Sequence, residues 1–313
     1  MALWHKHSSL AYLAVFIGVL GHASTEFVAV LSGINGPELS VWRFLLGGTG
    51  LVVLALLIPA SRDLLTPLRT HGRQLMGLSV LGITIGYLVF HWSLDFASIP
   101  QVATLVTTIP VFVAVSNVIV NRQPITGAKI ISACCAVAGV VLLITDGYLA
   151  RLAGSAESLV GVLLALACAA CVAAYTVLVR PIIIVYGALR ITAITMFLGA
   201  IGLWLVVGVF FDTWVSPGQL TDMPVNAVAA LVCIAIWNTT ITQFLWIGGL
   251  AAVPDITRGS YLFFLKPVIA TLLAVLILGQ SLTLVQLLAI VVITASVFTE
   301  QLADRWIKSK ETG

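Results

Sequence analysis

The sequence predicts an all-α integral membrane protein with ten transmembrane helices arranged in two inverted five-helix repeats. Three observations favour this fold class. Apolar residues make up 60% of the 313-residue chain and charged residues only 9%, whereas soluble domains carry about 25% charged residues. Apolar stretches of roughly twenty residues, which is enough to cross a bilayer, follow one another with short connections. A pattern of Pro, Gln and Thr also occurs once in each half of the chain.

The apolar stretches, taken in chain order, predict ten helices. Their spans are 9–31, 38–58, 73–94, 98–120, 125–145, 158–179, 188–211, 225–250, 254–278 and 282–300. The first stretch is too long for the apolar part of a signal peptide, and no small-residue cleavage site follows it, so we assign it to the first helix. Proline or glycine then marks several connections in turn, at Gly36-Pro37, Pro59, Pro124, Pro181, Pro217-Gly218 and Pro254.

The distribution of Lys and Arg predicts the orientation of these helices. With a cytoplasmic N-terminus, 12 of the 15 Lys and Arg residues fall in cytoplasmic segments. Only Arg151 falls in an outside loop, and the other two, Arg43 and Lys266, lie within helices 2 and 9. Because positive charge collects on the cytoplasmic side of membrane proteins, we expect a bacterial-type inner (plasma) membrane protein with both termini in the cytoplasm.

The two halves of the chain share a pattern at a constant offset of 157 residues. Its members are Pro110, Gln123 and Thr126, and then Pro267, Gln280 and Thr283. Residues 1–150 form the first predicted repeat, and residues 151–313 form the second, with a short cytoplasmic tail. Since each repeat has five helices, an odd number, the repeats are inverted, as in many transporters. The two prolines are the predicted hinges about which the two half-bundles rock.

Three charged residues lie inside predicted helices, where a charge costs about 2.5–3.5 kcal/mol on insertion scales. Glu26 and Arg43 lie at matching depth, so they form either an ion pair between helices 1 and 2 or an outer gate that contacts substrate. Lys266 precedes Pro267, and its counterpart in the first half is Ile109, so the repeat itself requires no charge there. We expect Lys266 to line a cavity and meet a substrate carboxylate. A salt bridge to another helix and a neutral buried lysine are the alternatives.

Polar and aromatic side chains at helical spacing complete the predicted substrate-binding set. Its members are His22, Tyr87, His91, Gln101, Tyr175, Trp237, Asn238, Gln243, Tyr261 and Lys266. The amides of Asn238 and Gln243 need partners outside their own helix, whereas Ser and Thr often bond their own backbone. Aromatic rings at these positions suit stacking with flat apolar groups, and placement at the membrane interface is the alternative.

Helices 2, 4 and 9 carry a family resemblance. Pro110-Val111 is followed by Gln-Pro-Ile-Thr at 123–126, Pro267-Val268 is followed by Gln-Ser-Leu-Thr at 280–283, and Arg43-Phe44 begins helix 2. In these features the chain resembles the EamA-type ten-helix exporters of the drug/metabolite transporter superfamily, and as a whole it resembles their aromatic amino acid exporters. It differs from them in having Gln where their turns carry Glu, and in having His22 and Glu26 in helix 1. The resemblance implies metabolite export by two five-helix repeats.

These features predict a secondary transporter that exports small amphiphilic metabolites, mainly amino acids including aromatic ones, by alternating access around a central cavity. The alternatives are a carrier of a nucleotide-linked sugar, a sugar phosphate or a cationic drug, and a non-transporting scaffold. Phosphorylated cargo is less favoured because only Arg43 and Lys266 supply positive charge within the helices.

Other classes of function find little support in the sequence. No His-Glu-x-x-His or Gly-x-Ser-x-Gly motif is present, so we expect no enzyme, no catalytic or metal site and no cofactor. The net charge of +3 does not indicate nucleic-acid binding. The expected partners are a small-molecule substrate and the lipid bilayer, and the expected unit is a monomer.

Overall fold

Ten helices carry the fold in a computed structural model, which describes residues 7–34, 36–97, 99–147, 156–279 and 281–311. In chain order they are α1 (Ser8–Ser32), α2 (Gly36–Leu57), α3 (Leu65–Ser93), α4 (Ile99–Val106 with Ile109–Asn121), α5 (Gly127–Thr145), α6 (Ala156–Tyr186), α7 (Ala188–Phe211), α8 (Val225–Ala252), α9 (Ile256–Ser260, Tyr261–Phe264 and Leu265–Leu278) and α10 (Leu284–Glu311). A short 3₁₀ helix, Pro217–Thr221, joins α7 to α8.

The predicted fold class is confirmed. Among the described residues every regular element is a helix, and nine of the helices are long and apolar enough to cross a membrane. The tenth, α10, begins with a shorter apolar stretch, Leu284–Phe298. Exposed Leu, Ile, Val and Phe side chains cover the outer surface of the bundle, as expected for a chain whose solvent is lipid.

One predicted connection was wrong. Pro181 lies inside α6, which continues to Tyr186 before the chain turns. The turn occurs at Gly187, whose φ of 94° is a conformation that side chains with a Cβ rarely adopt. A proline in a membrane helix removes one backbone donor without ending the helix, because neighbouring groups satisfy the freed carbonyl.

The helices pack in symmetry-related pairs, and the two halves of the chain are interleaved. α1 packs against α8 and α9 of the second half, while α6 packs against α3 and α4 of the first half. The remaining close pairs are α2 with α7 and α5 with α10, which are equivalent helices of the two repeats. A sequence half is therefore not a separate body, because its first helix belongs to the other half's packing.

Irregular turns occur at matching places in the two repeats. π-helical turns lie at Val80–Ile85 in α3 and at Ile234–Ile241 in α8. α4 breaks at residues 107–108, and α9 has a 3₁₀ turn at Tyr261–Phe264. Such turns shift the helical register and free backbone carbonyls, which is why they often occur at functional sites.

Both prolines of the repeated pattern follow these breaks. Pro110 occupies the first turn of Ile109–Asn121, and Pro267 occupies the first turn of Leu265–Leu278. For Pro110 the missing backbone N–H costs little, because the first residues of a helix have no partner within the helix for their N–H groups. The role of the two prolines as hinges remains a prediction.

Candidate binding cavity

A cavity of about 290 Å³ lies within the bundle between the two repeats. Side chains from α1, α2, α3, α4, α6, α7, α8 and α9 line it. Ala29, Gly36 and Leu94, which lie near the helix ends on the face opposite the chain termini, are among the lining residues. The cavity therefore extends from the middle of the bundle toward that face.

Two basic residues line this cavity. Arg43 is buried, with 7% of its surface exposed. Its Nε donates to Thr239 Oγ1 at 3.1 Å and its Nη2 donates to the Asn238 carbonyl at 3.1 Å. The guanidinium carbon lies 5.6 Å from the centre of the Tyr87 ring, within cation–π range. Lys266 is half-buried in the first turn after the 3₁₀ segment of α9. The cavity is thus lined by two basic side chains, and hydrogen bonds to α8 hold that of Arg43 in place.

An aromatic wall lies in the same cavity. The His22 ring lies edge-on to Trp246 and Phe263, with ring centres 5.8 Å and 5.5 Å away, and these two rings lie 5.0 Å from each other. Within the described part of the structure, His22 Nε2 is buried and makes no hydrogen bond. A buried polar atom without a partner carries a free-energy cost that a hydrogen-bonding ligand relieves.

Polar contacts fix the rings of α3 beside the cavity. Gln243 Nε2 donates to the Tyr87 hydroxyl at 3.0 Å, which joins α8 to α3. His91 Nδ1 lies 2.5 Å from Ser40 Oγ and 2.9 Å from the Tyr87 carbonyl. These hydrogen bonds hold the Tyr87 and His91 side chains in one orientation beside the cavity.

Tyr175 of α6 also faces the cavity. Its hydroxyl shares a hydrogen bond of 2.8 Å with Thr195 Oγ1 of α7. Its ring packs directly on Gly82, where an added Cβ would lie 2.4 Å from the ring carbon Cγ. The glycine in the π turn of α3 is therefore what admits this ring.

The cavity brings together part of the predicted substrate-binding set. The members that line it are His22, Tyr87, His91, Tyr175, Gln243 and Lys266. Arg43, predicted as a gate or ion-pair residue, lines it as well. Whether any of them binds substrate remains a prediction. The side chain of Glu26 is outside the described part of the structure, so its pairing with Arg43 remains a prediction.

Two predicted cavity residues of α8 instead join that helix to α1. Trp237 Nε1 donates to Ser24 Oγ at 3.0 Å. Asn238 Nδ2 donates to the Gly21 carbonyl at 2.7 Å and to Ser24 Oγ at 3.0 Å. Neither Trp237 nor Asn238 is among the residues that line the cavity, whereas Ile234 and Gln243 of the same helix are. Trp237 and Asn238 both lie in the π turn at Ile234–Ile241, and their role in substrate binding remains a prediction.

Two further predicted residues lie away from the cavity. Tyr261 is buried in the 3₁₀ turn of α9, and its hydroxyl donates to the Lys129 carbonyl at 2.9 Å. Gln101 is buried near the start of α4 and is not among the lining residues. The predicted role of Tyr261 and Gln101 in substrate binding remains a prediction.

Sequence reasoning also missed much of the cavity wall. Its apolar members include Val102, Val106, Ile109, Val172, Met196 and Ile247. Such residues carry no signal that separates a cavity wall from a packed core or a lipid-facing surface. The partner of Arg43, Thr239, was missed for a similar reason, since a threonine in a membrane helix usually bonds its own backbone.

Known proteins share this sequence pattern and fold. The chain matches the EamA-like transporter family over residues 9–145 and again over residues 159–299. An uncharacterized transporter from Clostridium kluyveri is 26% identical over 292 residues, covering 90% of each chain. The uncharacterized transporter YyaM from Bacillus subtilis is 24% identical over 295 residues, covering 94% of each chain. A protein of known crystal structure superposes with a TM-score of 0.77 at 20% identity, covering 96% of this chain and 99% of that one.

Proposed function

Because the chain belongs to the EamA-like transporter family, we propose that it is a secondary transporter that exports small amphiphilic metabolites, mainly amino acids and among them aromatic ones. The proposed location is a bacterial inner membrane, with both termini in the cytoplasm, as the Lys and Arg distribution favours. Transport would proceed by alternating access, with the cavity facing each side of the membrane in turn.

One observation carries the choice of substrate class: positive charge and an aromatic wall line a single cavity. Arg43 and Lys266 suit a carboxylate, because charge-assisted hydrogen bonds are the stronger ones. The Trp246 and Phe263 rings suit an apolar or aromatic side chain. An amino acid carries both groups a few bonds apart, so one molecule can satisfy both parts of the cavity.

The other polar groups of the cavity suit the same class. The side-chain carbonyl of Gln243 supplies an acceptor for an ammonium group, and the face of an aromatic ring attracts a cation. His22 Nε2, buried without a partner in the described structure, gains one if a polar ligand group reaches it. These contacts favour a zwitterion over a simple organic anion.

The size of the cavity favours a small solute. Its volume of about 290 Å³ is at the lower end of the range for ligand pockets, which run from about 300 to 1,000 Å³. A nucleotide-linked sugar is a large solute with several charges, and it suits this space less well. A cationic drug meets Arg43 and Lys266 in the wall, and like charges in a low-dielectric site repel strongly.

Flux from proteoliposomes tests the proposal. Purified protein is reconstituted, and the vesicles are loaded in turn with phenylalanine, threonine, a sugar phosphate or a cationic dye, with and without a pH gradient. We expect phenylalanine to leave faster than from protein-free vesicles, and the sugar phosphate and dye to leave no faster. Release of the sugar phosphate or the dye with retention of both amino acids would contradict the proposed substrate class.

A further inference from the structure

The face of the bundle that carries the termini is closed by polar contacts between helices of the two repeats. Lys129 Nζ of α5 lies 2.5 Å from Asp255 Oδ2 at the N-terminus of α9. The two side chains are 13% and 28% exposed, so the ion pair is partly shielded from solvent. A partly buried pair is screened less by salt than an exposed one and stabilises the contact more.

Neutral hydrogen bonds surround this ion pair. Asn117 Nδ2 of α4 donates to Thr257 Oγ1 of α9 at 3.2 Å and to Gln123 Oε1 at 3.0 Å. The Tyr261 hydroxyl, also from α9, donates to the Lys129 carbonyl at 2.9 Å. Together these contacts tie the start of α9 to the end of α4 and the start of α5, directly below the cavity.

Local capping geometry sets the position of both charged residues. Thr126 Oγ1 accepts from the Lys129 backbone N–H at 3.4 Å, which places Lys129 in the first turn of α5. Asp255 Oδ1 accepts from the Arg258 backbone N–H at 3.2 Å, which makes Asp255 the N-cap of α9. The Asp255 carboxylate thus caps its helix with one oxygen and meets the lysine with the other.

The opposite face has no equivalent ion pair at the symmetry-related positions. The counterpart of Lys129 at the offset of 157 is Gln286, and the counterpart of Asp255 is Ser98. Gln286 stays at its own helix end, where Oε1 accepts from the Thr283 N–H at 3.1 Å and its N–H donates to Thr283 Oγ1 at 3.1 Å. Ser98 lies outside the described residues, and its hydroxyl carries no charge in any conformation.

From this difference between the two faces, we infer that Lys129 and Asp255 form a one-sided gate that favours the state closed on the face of the termini. The inference rests on the proposed transport function, because a gate has meaning only for a cavity that changes sides. Opening toward that face separates the two charges, whereas opening toward the other face separates no ion pair at the equivalent positions. The resting transporter therefore holds its cavity open to the face opposite the termini.

Thiol labelling from the two sides of the membrane tests the gate without a known substrate. A reporter cysteine replaces Ala103, a half-buried cavity residue of α4, in a chain whose native cysteines are changed to alanine. Those native cysteines are Cys134, Cys135, Cys168, Cys171 and Cys233. A charged, membrane-impermeant maleimide is added to vesicles in which a C-terminal tag reports the orientation.

The parent reporter should label quickly from the face opposite the termini and slowly from the face of the termini. Asp255→Asn and Lys129→Gln should each speed labelling from the face of the termini by about fivefold, which corresponds to the upper range of a surface ion pair. Asparagine still caps a helix, so Asp255→Asn keeps the start of α9 intact. The double variant should label no faster than either single variant, because both remove the same interaction.

Asp146→Asn is the matched control. Asp146 accepts a hydrogen bond from Thr283 of the other repeat, but it joins α5 to α10, which do not line the cavity. In the Asp146→Asn variant the reporter cysteine should label at the parental rate from both faces. A second measurement needs no variant: raising the salt concentration should speed labelling of the parent reporter from the face of the termini by less than about fivefold, because ions screen this partly shielded pair only in part.

Three results would each contradict the gate. The first is that both single variants label at the parental rate, and the second is that the parent labels equally fast from the two faces. The third is that the effects of the two substitutions multiply in the double variant. The outcome is independent of the substrate. If labelling follows the expectation but no amino acid is transported, the gate is supported and the proposed substrate class is contradicted. If phenylalanine is transported but the variants label at the parental rate, the substrate class is supported and the gate is contradicted.

Discussion

Lys266 is the residue whose chemistry matters most for the proposed substrate. It lines the cavity, and its counterpart in the other repeat, Ile109, lines the same cavity as an apolar side chain. Repeat symmetry therefore does not account for the lysine, whereas the proposed recognition of a substrate carboxylate would account for it. The position was predictable from sequence because a charge inside a membrane helix is costly and needs a reason.

Replacing Lys266 with glutamine should weaken transport of phenylalanine while leaving the protein folded. A hydrogen bond to a charged group contributes about 1.5–3 kcal/mol, so KM should rise by roughly tenfold or more. Initial rates of uptake into proteoliposomes over a range of phenylalanine concentrations measure this. Phenylethylamine, which lacks the carboxylate, should compete equally weakly in parent and variant.

Arg73→Gln is the control for this variant. Arg73 is an exposed cation of α3 outside the cavity, so its loss removes the same charge without touching the site. An unchanged KM in Lys266→Gln, with normal folding, would remove the lysine from the binding site.

Gly47 shows how a single missing Cβ permits helix contact. An added Cβ there would lie 2.4 Å from the Cβ of Thr239, the residue that also accepts from Arg43 Nε. Gly47→Ala should therefore force α2 and α8 apart and lower the melting temperature, at a cost of about 1–3 kcal/mol. Thermal unfolding of the purified protein in detergent measures the change.

Gly77→Ala is the matched control for that change. Gly77 lies within α3, and an added Cβ would meet no atom within 4 Å. Alanine is favoured over glycine in a helix by up to about 1 kcal/mol, so this variant should melt at the same temperature or slightly higher. If both glycine variants melt alike, close approach at Gly47 is not what sets the contact.

At the scale of the elements, the regular parts of helices were predictable and the irregular parts were not. Runs of apolar residues give the ten helices because length and hydrophobicity are all that a bilayer demands. The π turn in α8 has no such signal, since its sequence, Ile-Ala-Ile-Trp-Asn-Thr-Thr-Ile, reads as an ordinary apolar helix. Trp237 and Asn238 lie in this turn, where they donate hydrogen bonds to α1.

The same π turn gives Arg43 its anchor. The Asn238 carbonyl accepts from Nη2, and Thr239 Oγ1 accepts from Nε, so two separate donors of one guanidinium hold α2 to α8. Lysine has a single compact ammonium group and cannot reproduce this fork. Arg43→Lys should lower the melting temperature, because one acceptor in the protein interior loses its partner at a cost of about 1–3 kcal/mol.

Thermal unfolding of Arg43→Lys beside Arg73→Lys measures this effect. The second variant makes the same exchange at an exposed position of α3, so it should melt as the parent does. Equal melting temperatures for the two variants would show that the guanidinium fork does not hold α8.

At the scale of the whole molecule, the inverted repeat was predictable and its interleaving was not. The constant offset and an odd number of helices per half predict the inversion directly. Which helices pack together depends on contacts between distant segments, such as α1 with α8 and α6 with α3. Rocking of the two half-bundles remains a prediction, and the packing shows that helices of both halves contact one another throughout the bundle.

The cavity and the closed face of the termini lie on opposite sides of the bundle. The cavity extends toward one face of the bundle, and Lys129 of α5 contacts Asp255 of α9 on the opposite face. A chain with this arrangement should bind solute on one side and release it on the other. Charge, aromatic surface and volume all favour an amino acid as that solute.

Counterflow of phenylalanine in proteoliposomes tests this central claim most directly. Vesicles loaded with unlabelled phenylalanine are diluted into a trace of labelled phenylalanine, so only a carrier that returns loaded can accumulate the label against its gradient. We expect a transient overshoot of labelled phenylalanine, absent from protein-free vesicles and reduced in Lys266→Gln. Folded protein that gives no overshoot for phenylalanine or any other amino acid would contradict it.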